Sequence, residues 1–326
     1  MNMLRRMSLI ALVLAFGLIA AACGGDDETT DTTEGTVPPL ETTTTEAPAE
    51  TTEAPADTTE APTDTTEAPA FDLVAAVAEY ESTIPDGWMN VGDVESFKDA
   101  LAASDGLVID VRQPEEYAEG HIPGAINIPL RELAANVDKI PTDKAVYVYC
   151  QSGFRAGIAI SAVRLMGYDN AFAYKDSYAG WTDAGEEVST DAVEAEVFGD
   201  PGFAPELVAA VDDYLSSLPD GWGIIRSVED VQAALDAGSV ILDVRSQGEF
   251  DEGHIEGAIL TPLRSIATAE NIAQIPTDTQ FIIHCKSGWR ATISMPVIGV
   301  LGFDNWKVFP GGWNAWTEAG APVVTG

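Results

Sequence analysis

The stretch FIIHCKSGWRAT, residues 281–292, is an apolar run of strand character that delivers Cys285 into a tight loop, with Arg290 five residues later where a helical segment begins. An earlier stretch, YVYCQSGFRAG, residues 147–157, places Cys150 and Arg155 at the same spacing. A short loop closing onto a helix N-terminus turns successive backbone N–H groups toward one point, and the helix dipole adds partial positive charge there. Such a place favours the thiolate of a cysteine, the nucleophilic form, and its donors can hold charge on a transferred or attacking atom. Gly153 and Gly288 suit the tight curvature, and Arg155 and Arg290 are placed to fix an anionic donor by a planar, two-pronged contact. A lone cysteine at a strand end is often only a buried structural residue. Two copies with the same Cys, Ser, Gly and Arg register, Ser152 and Ser287 included, argue for chemistry instead.

Outward from these loops, the whole chain after Ala70 is a repeat. FDLVAAVAEYESTIPDGW, residues 71–88, is echoed by PELVAAVDDYLSSLPDGW, residues 205–222. Both begin with apolar residues at helical spacing and stop at Pro-Asp-Gly. A repeat this long is a whole domain and not a solenoid unit. Next, GLVIDVRQPEEYAEGHIPGAINIPL in the first copy matches SVILDVRSQGEFDEGHIEGAILTPL in the second. Each opens with a continuous apolar run, the pattern of a strand buried on both faces in a parallel sheet. Asp110, Arg112, Glu116 and His121 thereby match Asp243, Arg245, Glu249 and His254.

A DVR tripeptide followed by Glu, an aromatic residue and GHIxGA, with a Cys-xx-Gly-x-Arg loop downstream, resembles rhodanese-like domains, and the resemblance covers about 250 residues. It implies an α/β fold: two tandem domains, residues 71–190 and 204–326, each a mostly parallel sheet flanked by helices. Their boundary is expected in the acidic, Gly- and Pro-containing stretch 186–204. The resemblance implies sulfur transfer: Cys285, and with it Cys150, attacks the outer sulfur of thiosulfate or a similar donor, forms a persulfide, and passes the sulfur to cyanide or a thiol. Arg290, Lys286, Ser287, Gly288 and Trp289, and in the first copy Arg155, Ser152 and Gly153, are then the expected substrate-binding residues. Asp110, Arg112, Asp243 and Arg245 are expected to brace the loops. His121 and His254 read as satisfied structural histidines, and His284, replaced by Tyr149 in the first copy, as packing. No metal or organic cofactor is expected, since no His, Cys and carboxylate cluster has metal-ligand spacing. The loop carries four residues between Cys and Arg, the family's pattern for sulfur; the related phosphatases have five.

Two departures separate the copies. The family's Gly-Gly pair and later Trp are present as Gly311, Gly312 and Trp316, whereas the first copy keeps Trp181 but has Asp176 and Ser177 at the glycine positions. A turn needing positive dihedrals is strained by those residues, and added negative charge repels an anionic donor. Lys286 follows Cys285 where Gln151 follows Cys150. A cation there stabilises a thiolate and attracts an anion. Both differences favour the second domain as the better catalyst. Pro296 is expected to bend or interrupt the helix after the second loop. Phe154 and Trp289 read equally as pocket walls or core aromatics.

Charge and the N-terminus complete the reading. The net charge of −37 argues against nucleic-acid backbone as a partner. Thirteen acidic residues and no Lys or Arg lie in 24–70; setting these aside with Arg5 and Arg6 leaves −26 on 71–326. Arg5 and Arg6 precede an apolar run from Leu9 to Ala22 that ends at Cys23, the form of an export signal. LIAAAC resembles a bacterial lipobox, with Ala20 where Leu is more usual. It implies a signal peptide over 1–23, lipid on Cys23, and anchoring at the outer face of the bacterial cytoplasmic membrane or a periplasmic-facing leaflet. An ordinary cleaved signal or an uncleaved anchor are the alternatives. Residues 24–70, with repeated TTEAPA-like units, have too little apolar surface to order themselves and read as a tether of at most about 145 Å. Its Thr and Pro density also resembles glycosylated stalks. Cys150 and Cys285 open equivalent loops of different domains, so a mutual disulfide is disfavoured. The functional alternative to an enzyme is a membrane-tethered binding or sulfur- and redox-sensing module without turnover. A thiol oxidoreductase would want a resolving cysteine that neither loop has.

Overall fold

The computed structural model describes residues 70–325; the expected signal peptide, Cys23 and all but the last residue of the tether expected over 24–70 lie outside the described residues. The first repeat runs α1 (Leu73–Thr83), β1 (Asn90–Val91), α2 (Val94–Ser104), β2 (Leu107–Asp110), α3 (Pro114–Glu119), β3 (Ile126–Asn127), β4 (Val146–Tyr149), α4 (Phe154–Met166), β5 (Ala171–Tyr174) and α5 (Ser177–Asp183). The second runs α6 (Pro205–Ser217), α7 (Val228–Asp236), β6 (Val240–Asp243), α8 (Gln247–Glu252), β7 (Ile259–Leu260), α9 (Ala269–Ile272), β8 (Phe281–His284), α10 (Trp289–Val300), β9 (Trp306–Val308) and α11 (Gly312–Glu318).

The apolar runs form the expected parallel strands. The first sheet has the order β1-β5-β4-β2-β3 and the second β7-β6-β8-β9, with every strand pair parallel. Where the first repeat has β1, the second has only an isolated bridge from Ile224 to Val308. Helix starts follow their capping residues: Asp93 Oδ1 accepts from the Ser96 amide, and Ser227 Oγ from that of Asp230. In both repeats the central strand, β4 or β8, is buried along its length and ends at the cysteine.

The helices α4 and α10 are mostly apolar and buried along almost their whole length, as suits helices enclosed in a core. They pack against each other where Gly157 meets Thr292, equivalent positions in the two repeats; a Cβ at Gly157 would fall on the Thr292 hydroxyl. One hydrophobic core therefore runs through both repeats, from Val77 and Ile158 to Ile293 and Val308. Of the bend or interruption expected at Pro296, the interruption does not occur: α10 continues through Pro296, and burial of this helix outweighs the missing donor.

The stretch expected to divide the domains lies along the first one. Ser189 forms an antiparallel bridge with His121, the amides of Phe198 and Gly199 donate to Asp138 O, and Phe203 packs edge-on against Tyr168. The leading helices also reach across. Glu81 on α1 accepts from the Ala267 amide of the second repeat at 3.1 and 3.2 Å, and Arg131 of the first repeat donates to Leu218 O, just past α6, at 2.7 Å.

Candidate active site

Each cysteine sits at the end of its central strand and is 1% exposed. The loop then curls through glycine into a helix. Gly153 has φ +90 and Gly288 φ +88, and at each a Cβ would strike the carbonyl of Lys175 or of Pro310, so no other residue fits. The Gly153 amide points at Cys150 Sγ at 3.2 Å, one backbone donor facing the sulfur in the first repeat.

The loop is held from behind by the helix that follows the last strand. Tyr178 and Ala179 amides donate to the carbonyls of Cys150 and Gln151, and Trp313 and Asn314 amides to those of Cys285 and Lys286, all at 2.7–3.0 Å. Helix and loop backbones must approach closely. Gly312 has φ +58, and a Cβ there would meet Cys285 O. Ser177 adopts the same conformation, φ +56, in the first repeat. The expected strain thus falls on Ser177 alone, since Asp176 has φ −71, an ordinary right-handed value. Ser177 Oγ donates to Tyr174 O, accepts from the Cys150 amide at 3.2 Å and lies 3.9 Å from Cys150 Sγ.

Arg155 and Arg290 do not present a free fork to a donor. Arg290 Nη1 and Nη2 donate to the two carboxylate oxygens of Glu249 at 2.6 and 2.7 Å, and Arg155 does the same to Glu116. The expected two-pronged grip on an anion is made instead to a carboxylate of the same repeat. Glu249 also accepts from the Ser246 amide, closing the capping box of α8, and Glu116 accepts from the Gln113 amide at the start of α3. The arginine beside it pulls the Glu249 carboxyl down to about 2 and that of Glu116 below the usual carboxylate range, against the opposing effect of burial. These glutamates were legible only as matched motif residues; Ser-x-x-Glu in 246–249 was their signal as helix caps.

Asp110 with Arg112, and Asp243 with Arg245, form buried pairs under the loops. Arg112 Nε and Nη2 bind Asp110, Nη2 also reaches Gly120 O, and Nη1 reaches Gln151 Oε1 of the loop at 3.4 Å. Arg245 repeats the pattern with Gly253 O. The guanidinium faces are covered by Tyr178 and by Trp313. Such pairs brace the loop because either charge alone would be costly there. Burial alone would raise the Asp243 carboxyl; His284, 3.2 Å away and fully buried, and Arg245 outweigh it and hold it below the usual range. In the first repeat Tyr149 stands in the place of His284 and accepts from the Ile122 amide; burial, with the Asp110 charge, pushes its hydroxyl well above the ordinary value. His121 is stacked on Tyr117 and bonded to the carbonyls of Tyr117 and Asp191, and His254 is stacked on Phe250 and bonded to its carbonyl.

Lys286 and Ser287, like Gln151 and Ser152, are exposed on the outer side of their loops. A cleft of about 480 Å³ lies between the two loops, with Ser152, Gly153 and Phe154 on one side and Ser287, Gly288 and Trp289 on the other. Phe154 and Trp289 are thus cleft walls as well as core neighbours. Among the described residues no group of three or more His, Cys, Asp or Glu side chains is arranged to hold a metal ion.

Comparison with known proteins agrees with this architecture. The chain is 43% identical over 74 residues to the uncharacterized protein YqhL of Bacillus subtilis (strain 168), covering 23% of this chain and 59% of that one. It is 44% identical over 73 residues to the thiosulfate sulfurtransferase PspE of Escherichia coli (strain K12), covering 21% and 70%. Over 268 residues it is 26% identical to the 3-mercaptopyruvate sulfurtransferase of Escherichia coli (strain K12), covering 69% of this chain and 90% of that protein. The family model described as the rhodanese-like domain matches twice, over residues 93–184 and 227–319, and the chain belongs to the rhodanese-like family as a tandem pair of such domains.

Proposed function

We propose that this protein is a sulfurtransferase that moves sulfane sulfur from thiosulfate or a similar anionic donor to a thiophilic acceptor through a cysteine persulfide. The observation that carries the reading is the loop itself, built twice: a buried cysteine at a strand end that leads through a left-handed glycine into a helix, with the Gly153 amide 3.2 Å from the sulfur in the first repeat. The thiolate of Cys285 attacks the outer sulfur of the donor. The donor's S–S bond breaks and sulfite departs with its electron pair. The acceptor, cyanide or a thiolate, then attacks the outer sulfur of the persulfide, and the Cys285 thiolate leaves unchanged. Loop amides stabilise the charge in both steps, and Lys286 at the loop rim attracts the anion. Cys285 is the principal nucleophile, because the first site carries Ser177 against its cysteine and has the neutral Gln151 where Lys286 follows Cys285.

The test is intact-protein and peptide mass spectrometry on the reduced full-length chain in detergent, given thiosulfate and then cyanide. Gain of one sulfur on Cys285, lost again to cyanide, is the expected result. Failure of both cysteines to take up sulfur from thiosulfate or a persulfide donor overturns the enzyme reading in favour of a tethered binding or sensing module. The basic-then-apolar N-terminus and the lipobox-like LIAAAC support, on this proposal, anchoring through lipid on Cys23 at the outer face of the cytoplasmic membrane or a periplasmic-facing leaflet. Release of the Cys23→Ala variant from the membrane fraction is the outcome that agrees.

A further inference from the structure

The two Pro-Asp-Gly-Trp turns, residues 85–88 and 219–222, cross over. Trp88 belongs to the first repeat, yet its ring lies 5.3 Å from the Arg290 guanidinium of the second repeat's loop and 4.9 Å from that of Arg264, also in the second repeat. Trp222 of the second repeat lies 5.7 Å from Arg155 and 4.9 Å from Arg131, both in the first. The turns are tied down in the same crossed sense. Arg264 donates to Asp86 at 2.8 Å, Arg131 to Leu218 O at 2.7 Å, and the Trp289 indole N–H to Trp88 O at 3.1 Å. Both tryptophans hold left-handed backbone, φ +53 and +61, and Met89 after Trp88 does so too. Left-handed conformations at bulky residues persist where surrounding contacts over-determine them.

From this we infer that each tryptophan is a positioning residue of the other repeat's site: Trp88 covers the Cys285 site and Trp222 the Cys150 site. The loop arginine is held at its edge by a glutamate of its own repeat and on its face by an indole of the other. The indole, only partly buried, walls the loop on the side of that arginine. Each thiol site is therefore completed by the leading turn of the opposite repeat, and neither repeat carries a whole site alone. The aromatic wall also limits how bulky an acceptor can approach beside the arginine. The inference deepens the sulfurtransferase reading, but its test is independent of turnover.

The experiment is site-resolved alkylation of the reduced full-length chain by iodoacetamide, followed by peptide mass spectrometry, with circular dichroism to verify folding. Trp88→Ala is expected to change the alkylation rate of Cys285 by roughly three- to fivefold while Cys150 is unmoved, and Trp222→Ala to do the reverse. Trp88→Phe should restore the wild-type rate at Cys285, which a purely structural loss would not require. If Trp88→Ala does not fold, Trp88→Leu carries the same test. Equal changes at both thiols, a change confined to the cysteine of the same repeat, or no change overturns the inference. Absence of sulfur uptake from thiosulfate in a protein that passes the crossed alkylation test would remove the catalytic reading and leave the crossed architecture standing.

Discussion

The two thiol loops share their glycine, their arginine and their glutamate clamp, and differ in what surrounds them. Cys285 is followed by Lys286 and backed by Gly312; Cys150 is followed by Gln151 and backed by Ser177, whose hydroxyl accepts from the Cys150 amide. Under the second loop Asp243 meets His284 as well as Arg245, whereas under the first Tyr149 takes the histidine's place. The leading helices differ too: Glu81 on α1 corresponds to Leu215 on α6, so at this position the first repeat brings a carboxyl to the other repeat and the second brings an apolar side chain. A duplicated scaffold thus keeps the residues that shape a loop and lets those that set its charge drift. Shape is shared because one core and one pair of crossing helices support both loops.

The sharpest way to break this comparison is to remove each nucleophile in turn. Cys285→Ser is expected to lower steady-state thiosulfate:cyanide sulfur transfer by about 10³-fold or more, and Cys150→Ser by less than about tenfold. Equal losses would make the two sites partners of one reaction. Exchanging the residues behind the cysteines probes the turn. Gly312→Ser should destabilise the protein by about 1–3 kcal/mol, because its Cβ meets the Cys285 carbonyl in a left-handed conformation. Ser177→Gly relieves the same conformation but loses the hydroxyl's bonds, so denaturant melts should place it within about 1 kcal/mol of the wild type. A stability cost confined to the first repeat's variant would reverse that ranking.

Glu81 offers a pH-dependent test of the third difference. Burial pushes its carboxyl up to about 7, outweighing the Ala267 and Ile266 amides that pull it down. A carboxyl raised in the folded state contributes most below its ordinary value of 4.5, and that contribution is lost as pH climbs from there through about 7. Glu81→Gln, which keeps an acceptor for the Ala267 amide, should therefore match the wild type near pH 4 and exceed it by about 1–3 kcal/mol at pH 8. Coincident urea melts at pH 8 would show that the charged carboxylate is accommodated without cost. The smallest effect is expected at the loop rim. Lys286→Gln should raise KM for thiosulfate by roughly threefold with little change in kcat, an effect that fades with added salt, as befits an exposed charge.

Sequence alone determined the parallel-sheet repeats, the position of each cysteine at a strand end and the glycine-to-arginine loop after it. These are local matters: buried strands read as continuous apolar runs, and tight loops need glycine at set offsets. It also marked Asp176 and Ser177 as the odd residues of their turn; the left-handed φ falls on Ser177, while Asp176 is in an ordinary right-handed conformation. What it missed depends on which groups meet across the chain. Spacing showed an arginine poised for an anion, but the fold supplies Glu116 and Glu249 first, from helices about 40 positions earlier whose caps those glutamates also close. Pro296 reads as a helix breaker until the core is seen to enclose α10. Trp88 and Trp222 look like the ends of the leading helical segments of their own repeats, because nothing along the chain records that the leading turns exchange partners. Only the packing of α4 on α10, with one core through both repeats, brings each turn onto the opposite loop, where burial and cation–π contact decide its place.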